Sequence, residues 1–307
     1  MAQKLLDLPL ELLINILGHL PVRSLLHFSE TSQYSRFLAN SNLQTLKLGV
    51  RSPRSRNIIR TGSERINIRI KDALDYDYTT LLNFHTTLVQ GIIVRHADML
   101  HTLDLSLWTL TKPIAEAITK VSALRNLSIR LEEDVYVRAV PRSCVARDRI
   151  EQDRAWTLLV ESATWKYRLR SLKLESTEIT TEQLTTLLDG SRQCAELHLS
   201  RCRYVTSEVW DLLGNQSWSG RLALRKLTLD ESGGVLKDAA FQAISLLVGL
   251  QHLDLYGCYG TNRDDVAQWN KDAWHITSLI LPAEECDGDG VILEVDPAYM
   301  VPVTTAS

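Results

Sequence analysis

The chain has 307 residues and a mass of 34.7 kDa, enough for a sizeable core and more than one typical domain length. Its 34 Lys and Arg residues against 37 Asp and Glu residues leave a formal charge of −3, a near-balance that argues against general nucleic-acid binding, which goes with a clearly basic domain. Hydrophobic residues at 45% and charged residues at 23% are ordinary for a soluble globular chain, and no run reaches the roughly 18 apolar residues of a membrane span. At the start of the chain Asp7, Pro9 and Glu11 interrupt the leucines, so no signal peptide is expected. The five cysteines, an odd number, are then expected to be reduced thiols of a cytoplasmic or nuclear protein.

The stretch from Leu8 to Pro21 reads as the first helix. Proline at the helix start presets its dihedral, and Glu11 suits the positive end of the helix dipole. On a helical wheel Pro9, Leu12, Leu13, Ile16, Leu17 and Leu20 form one stripe. Leu10 and Ile14 widen the apolar arc to roughly 200°, about double a usual core-facing stripe. Two more short helices are expected around 24–28 and 32–39. About forty residues in three short helices cannot bury so wide an arc unaided. The surplus face must either cap the rest of the chain or meet another one. Leu8, Pro9, Glu11, Leu12, Ile16, Leu17, Leu20, Pro21, Leu25 and Leu26 resemble the F-box pattern of Leu-Pro-x-Glu-Leu, an Ile-Leu pair, a leucine before proline, and leucines in a second helix. In the third helix Thr31, Tyr34 and Phe37 stand where that family favours valine and then an aromatic residue. The resemblance covers roughly residues 5–45. It implies that these ten residues dock a Skp adaptor and, through it, a cullin.

Residues 51–71 come next, with seven cations (Arg51, Arg54, Arg56, Arg60, Arg65, Arg69 and Lys71) against Glu64 alone; a solvated linker is the plain reading. Beyond it one pattern recurs. Leu169/Leu172/Leu174/Thr177, Cys194/Leu197/Leu199/Cys202, Leu224/Leu227/Leu229/Ser232 and Leu250/Leu253/Leu255/Cys258 share one spacing, and weaker copies lie at Leu43, Leu100, Leu124 and Ile276. The middle residues Leu46, Ile68, Leu103, Leu127, Leu172, Leu197, Leu227, Leu253 and Leu279 are 22, 35, 24, 45, 25, 30, 26 and 26 apart. These copies resemble the leucine-rich repeat, whose period is roughly 20–29 residues. Helical patterns such as 181–188, 207–213 and 237–248 lie between them. The fold expected is an α/β solenoid, a leucine-rich-repeat horseshoe with parallel strands inside and helices outside, preceded by a small three-helix F-box. Its segments are 1–45, a solenoid over 46–283 with an insertion at about 131–168, and an acidic tail over 284–307.

Three constellations carry possible chemistry. The insertion holds Trp156 and Trp165 and, if it projects from one face, can bind a partner. Cys194, His198 and Cys202 have a zinc-like spacing, but strand alternation turns His198 to the concave face and the thiols elsewhere, so no metal is expected. The loop 285–296 matches a calcium-loop pattern, with Glu285 at its first and Asp296 at its last position; flanking Pro282 and Pro297 leave no room for helices, and a solvated acidic loop is expected. No nucleophile, phosphate-cradling or metalloprotease motif is present, so neither enzyme chemistry nor a cofactor is expected.

The residues around each leucine pair face the concave surface. They include Lys47, Arg69 and Lys71, then Asp104, Arg130, Glu175 and His198, and finally Asp230, Asp254 and Tyr256. The face is basic near the F-box and more acidic at the far end, which suits an acidic or phosphorylated protein segment lying with that end toward Arg69 and Lys71. Proteins of this resemblance are substrate receptors of Skp–cullin–F-box ubiquitin ligases. The other class left open is a non-catalytic scaffold acting outside a ligase. No nucleic-acid or membrane partner is expected.

Overall fold

Two apolar residues per strand, separated by one polar residue, set the architecture. In a computed structural model, which describes residues 8–18, 20, 22–51, 65–132 and 142–283, nine strands of the described residues form one parallel sheet. Three short helices come first: α1 (Leu10–Gly18), α2 (Val22–Ser29) and α3 (Gln33–Ser41). The sheet then begins with β1 (Thr45–Arg51) and β2 (Ile66–Arg69), and α4 (Tyr78–His96) leads to β3 (Thr102–Leu107). The regular coils come after it: α5 (Lys112–Thr119) and β4 (Asn126–Leu131); α6 (Arg142–Ser162) and β5 (Ser171–Glu175); α7 (Thr181–Asp189) and β6 (Glu196–Ser200). After α8 (Val209–Leu213) come β7 (Lys226–Asp230), α9 (Asp238–Ser245), β8 (His252–Asp254), α10 (Arg263–Trp269) and β9 (Ser278–Ile280).

From β3 onward the register never slips. Leu103, Leu127, Leu172, Leu197, Leu227 and Leu253 are aligned strand to strand, and Leu105, Ile129, Leu174, Leu199 and Leu229 form a second row. Every one of these side chains is buried against the helices. A one-residue slip would turn the whole set outward, so burial locks the pairing. Beyond each leucine pair Thr177, Cys202, Ser232 and Cys258 form an inner ladder at the strand ends. The Ser232 hydroxyl accepts from the Cys202 N–H at 2.9 Å, and the Cys258 thiol donates to the Leu229 carbonyl at 3.3 Å. The residue before each ladder position (Ser176, Arg201, Glu231 and Gly257) takes a left-handed conformation with φ between 48 and 81°. That turn lifts the chain off the sheet.

The structure departs from the sequence expectation in two places. Strand order is β2-β1-β3-β4 and onward, so the isoleucine strand does not follow β1 as the next coil. It lies on the outer edge of β1, and α4 carries the chain back across to β3. Ile66, Ile68 and Ile70 are only partly buried there, as befits an edge strand with one neighbour. The second departure is the insertion. Residues 142–162 form α6, the outer helix of its own coil, packed between α5 and α7. Trp156 and Trp165 are fully buried, and the Trp165 indole N–H donates to the Ile118 carbonyl at 2.9 Å. Trp218 does the same to the Leu188 carbonyl. The Trp165 and Trp218 indoles thus share carbonyls at helix ends with the backbone N–H groups of Val121 and Ser191. These tryptophans are core and can contact no target.

On α4, Leu81, His85, Val89 and Ile93 face inward. The His85 ring stacks on Trp108 with centroids 5.2 Å apart, and burial pushes its pKa down to about 3 from 6.5. The ring is therefore neutral in the folded protein, while in the unfolded chain it takes up a proton below pH 6.5. Its contribution to stability is whole above pH 6.5 and falls as pH drops toward 3. The expected loss from this one group between pH 6.5 and 5 is about 2 kcal/mol. Urea unfolding at the two pH values checks it: His85→Phe should remove that increment of acid sensitivity, and an unchanged difference would show that another group carries it.

Candidate functional site

Local signals fix the N-terminal helices. The Pro9 carbonyl accepts from the N–H groups of Leu12 and Leu13 and so opens α1, with Pro9 one position ahead of the first helical residue. Ser32 caps α3 by accepting from the Ser35 N–H at 3.0 Å. Asn42 closes it by donating to the Leu38 carbonyl at 2.7 Å. Leu13, Leu17, Leu25, Leu38 and Ala39 are buried, and α2 lies against β1. These residues tie the bundle to the solenoid.

Away from these contacts the bundle's surface is apolar and open. Leu10, Leu12, Ile14 and Ile16 of α1 are between 39% and 51% exposed, Leu26 of α2 is 49% exposed, and Tyr34 and Phe37 of α3 are 50% and 66% exposed. Lone exposed apolar residues are ordinary, but seven on three short helices mark a contact surface. Of the residues named from the F-box pattern, Leu12, Ile16 and Leu26 belong to this open side, and Pro9 and Glu11 are exposed beside them. Leu17 and Leu25 do not belong to it; they are interior and hold the helices together. Leu8 and Leu20 are partly buried against the core, and Pro21 lies outside the described residues. Pattern matching passed over Leu10 and Ile14, which the excess width of the apolar arc had already marked, and Tyr34 and Phe37, whose i, i+3 spacing puts two aromatic rings on one side of α3.

The concave face is polar along its length, and much of its charge is spent internally. Arg65 reaches over β1 to grip Asp104 with both carboxylate oxygens, at 2.7 and 2.6 Å. Gly49 lies on the strand between them: a Cβ there would be tight against the Asn67 side-chain oxygen, at 3.0 Å, and in ordinary contact with Arg65 Cδ, at 3.6 Å. Arg130 pairs with Glu175 at 3.0 Å, and Glu175 also receives Arg201. Lys173 and Lys226 flank Glu196 at 3.5 and 3.2 Å. Burial alone would raise the Glu196 carboxyl, but these two ammonium groups and Ser171 hold it below its ordinary value. Ser200 donates to Asp230 at 2.7 Å, and Asp254 accepts from the Tyr256 N–H. His198 is shifted down, chiefly by burial and then by Lys173, against the pull of Glu175, Asp230 and Asp254.

The expected basic end also has a definite place. Lys47 is half-buried on β1; Arg69 and Lys71 are exposed on and just after the edge strand β2. Lys71 approaches only its neighbour Asp72, at 4.0 Å, and Arg69 has no ion pair among the described residues. Tyr256, at the other end, is 53% exposed. Cys194 and Cys202 are buried in the core, where burial pushes both thiols up (Cys194 to about 12), while His198 stands on the concave side. Among the described residues no group of His, Cys, Asp and Glu is arranged to hold a metal, and the acidic loop 285–296 lies outside them. A cavity of about 310 Å³ opens at the ends of β4 to β6, where Arg149 and Glu178 pair across it at 3.6 Å.

The Arg65–Asp104 pair generates a test of this face. Both side chains are less than a fifth exposed, so removing either partner strands a charge at a cost of about 1–3 kcal/mol. Arg65→Ala and Asp104→Ala should each destabilise by that amount, and the double variant by no more than the worse single one. Chemical denaturation of the four proteins measures this cycle; strictly additive losses would show that the two groups do not support each other.

No helix among the described residues is long and apolar enough to cross a membrane. Comparison with curated proteins finds no match. Comparison with protein families matches residues 5–46 to the F-box domain, the same stretch whose three helices leave apolar residues exposed. The chain thus carries an N-terminal F-box domain in front of a nine-stranded parallel sheet alternating with helices, a fold consistent with a leucine-rich-repeat-like solenoid.

Proposed function

We propose that this protein is a substrate-recognition subunit of a Skp–cullin–F-box ubiquitin ligase. The observation that carries this reading is the open apolar side of α1, α2 and α3. Its residues leave between 39% and 66% of their surface open, and an F-box domain is a module that docks on a Skp adaptor. Leu10, Leu12, Ile14, Ile16, Leu26, Tyr34 and Phe37 would be covered by the adaptor, with Pro9 and Glu11 at the margin. The chain performs no bond chemistry in this role. It supplies a rigid link between the adaptor and a bound protein target, which a ubiquitin-conjugating enzyme then modifies.

The concave face supports target capture with Lys47, Arg69 and Lys71 at one end and Asp254 and Tyr256 at the other. Asp104, Arg130, Glu175 and Asp230 are engaged with neighbouring side chains, so they shape that surface more than they offer free charge. An acidic or phosphorylated segment would lie with its negative end at Arg69 and Lys71, where a guanidinium offers paired hydrogen bonds.

Leu12→Asp, Ile16→Asp and Leu26→Asp in one chain test the docking surface without touching the core. A buried leucine-sized anchor is worth roughly 1.5–3 kcal/mol, and 1.4 kcal/mol is a factor of ten. Adaptor affinity should therefore fall at least a hundredfold while the circular dichroism spectrum and unfolding midpoint stay near wild type. A folded triple variant that still co-purifies with the adaptor and a cullin at wild-type yield would end this reading. Retention of the adaptor without any cullin would instead favour a scaffold.

A further inference from the structure

The parallel register sends every loop that begins a strand to one edge of the solenoid and every loop that ends a strand to the other. Charge is not shared evenly between the two edges. On the strand-start edge the loop after α5 carries Lys120 and Arg125, and the loop after α6 carries Lys166, Arg168 and Arg170. The loop after α7 adds Arg192, and that after α8 adds Arg221 and Arg225. These four loops hold eight cations and no carboxylate. The nearest acids in sequence are Glu161 and Asp189, at the ends of the helices that precede two of them, and Glu196, which opens β6 directly after one of them and pairs with Lys173 and Lys226. On the other edge the described loops from β3 to α9 balance Arg201, Arg203 and Lys237 against Glu132, Glu178, Glu208 and Glu231.

None of the eight cations makes an ion pair among the described residues. Six are exposed, and Lys166 and Arg221 are half-buried. Helix dipoles account for half of them at most. Their effect is confined to the end of a helix: Lys120 is the C-cap of α5, and Lys166, Arg168 and Arg221 lie in the last turns of two short 3-10 helices (Thr164–Arg168 and Ser219–Leu222), but Arg125, Arg170, Arg192 and Arg225 lie beyond any helix. Two of the cations are held in place across a glycine: the Lys166 stem passes within 3.0 Å of where a Gly190 Cβ would be, and the Arg225 guanidinium occupies the Cβ position of Gly249. The ladder fixes the spacing of three of the eight. The Arg170 N–H donates to the Arg125 carbonyl, Ala195 to Arg170, and Arg225 to Ala195, so Arg125, Arg170 and Arg225 stand on the first, second and fourth of four successive rungs. Neighbouring rungs are about 4.8 Å apart, which puts the three within about 15 Å.

We propose that this edge, from Lys120 to Arg225, is a docking strip for an acidic, extended segment of a partner protein. Alternate side chains of an extended peptide fall about 6.8 Å apart, so two or three carboxylates match the span of the arginine row. A short peptide senses only the strip, because surface charge is screened beyond about 8 Å at physiological salt. A long polyanion such as a nucleic acid would also meet the rest of a chain whose net charge is −3. The strip is separate from the F-box face and the concave face, and does not rest on the ligase reading.

The test uses the full-length chain and a fluorescein-labelled peptide of six glutamates alternating with serine, followed by anisotropy at 50 and 300 mM salt. Wild type should bind, at least tenfold more weakly at the higher salt. Arg125→Glu, Arg170→Glu and Arg192→Glu in one chain should weaken binding at least tenfold at 50 mM. Arg203→Glu with Lys237→Glu, on the other edge, should leave it within twofold. If the triple reversal disturbs the fold, the same three positions changed to glutamine carry the test, with at least a threefold loss expected. No binding by wild type, or an equal loss from the Arg203/Lys237 variant, overturns the proposal. A single-stranded oligonucleotide of the same charge binding more tightly than the peptide would assign the strip to nucleic acid instead.

Discussion

The in-register burial of leucine on leucine governs everything else in this molecule. One row runs from Leu103 to Leu253 and a second from Leu105 to Leu229, each side chain roofed by the helix of its coil. Burying a leucine is worth roughly 1.5–3 kcal/mol, and no single coil could keep one dry without its neighbours. The stack is therefore cooperative, and its geometry is inherited by every residue between the leucines. Asp104, Ser128, Lys173, His198 and Thr228 face the concave side because Leu103 and Leu105, and their counterparts, do not. Loop charges are sorted to one edge or the other for the same reason.

A stack of coils has ends, and the first end is where the structure is least regular. Edge strands invite unwanted pairing unless they are short, charged or covered. Here β2 is four residues long, carries Arg69, and is itself added to the outside of β1. The three-helix bundle closes the neighbourhood of β1 from another direction through Leu13, Leu17, Leu25 and Leu38. A capping role and a docking role for the first helices are thus compatible. α1 is apolar around most of its circumference: Leu13 and Leu17, at the middle of the arc, turn inward, while Leu12 and Ile16 on one flank and Leu10 and Ile14 on the other stay exposed.

The repeat was legible in the sequence because its signal is periodic and its leucines have one job. From Leu103 on, the spacing of the leucine pairs identified each strand and its inward face. Ile66–Arg69 was legible as a strand but not as an edge, since alternation fixes which face is buried and says nothing about which neighbour pairs. Trp156 and Trp165 misled for a related reason. A tryptophan on a charge-rich segment suggests a binding site, and only the packing of α6 between α5 and α7 shows the two rings to be core. Leu17 and Leu25 fit the F-box pattern as well as Leu12 and Leu26 do; the pattern records which residues are apolar, and the solenoid decides which of them are covered. The Arg65–Asp104 grip, over 39 residues of sequence separation, reaches across β1 from one strand to another, which no local pattern can express.

The same contrast separates structural charge from charge available for binding. On the concave face an arginine or lysine on one rung meets a carboxylate on the next, as in Arg130 with Glu175 and Lys173 with Glu196. Such pairs are partly shielded, and they hold side chains that would otherwise lose rotamer freedom on binding. A target meeting this surface encounters a shape that is already set, and gains from it mainly at the two ends of the row. The strand-start edge is built in the opposite way. Arg125 and Arg170 stand on adjacent rungs with the same sign, so the stack bears a small repulsion that no carboxylate in those loops relieves. Folding gains nothing from that arrangement, since the leucines alone fix the register. An exposed row of like charges at fixed spacing, with its geometry set by a core that does not depend on it, meets no counter-charge among the described residues and suits an acidic partner.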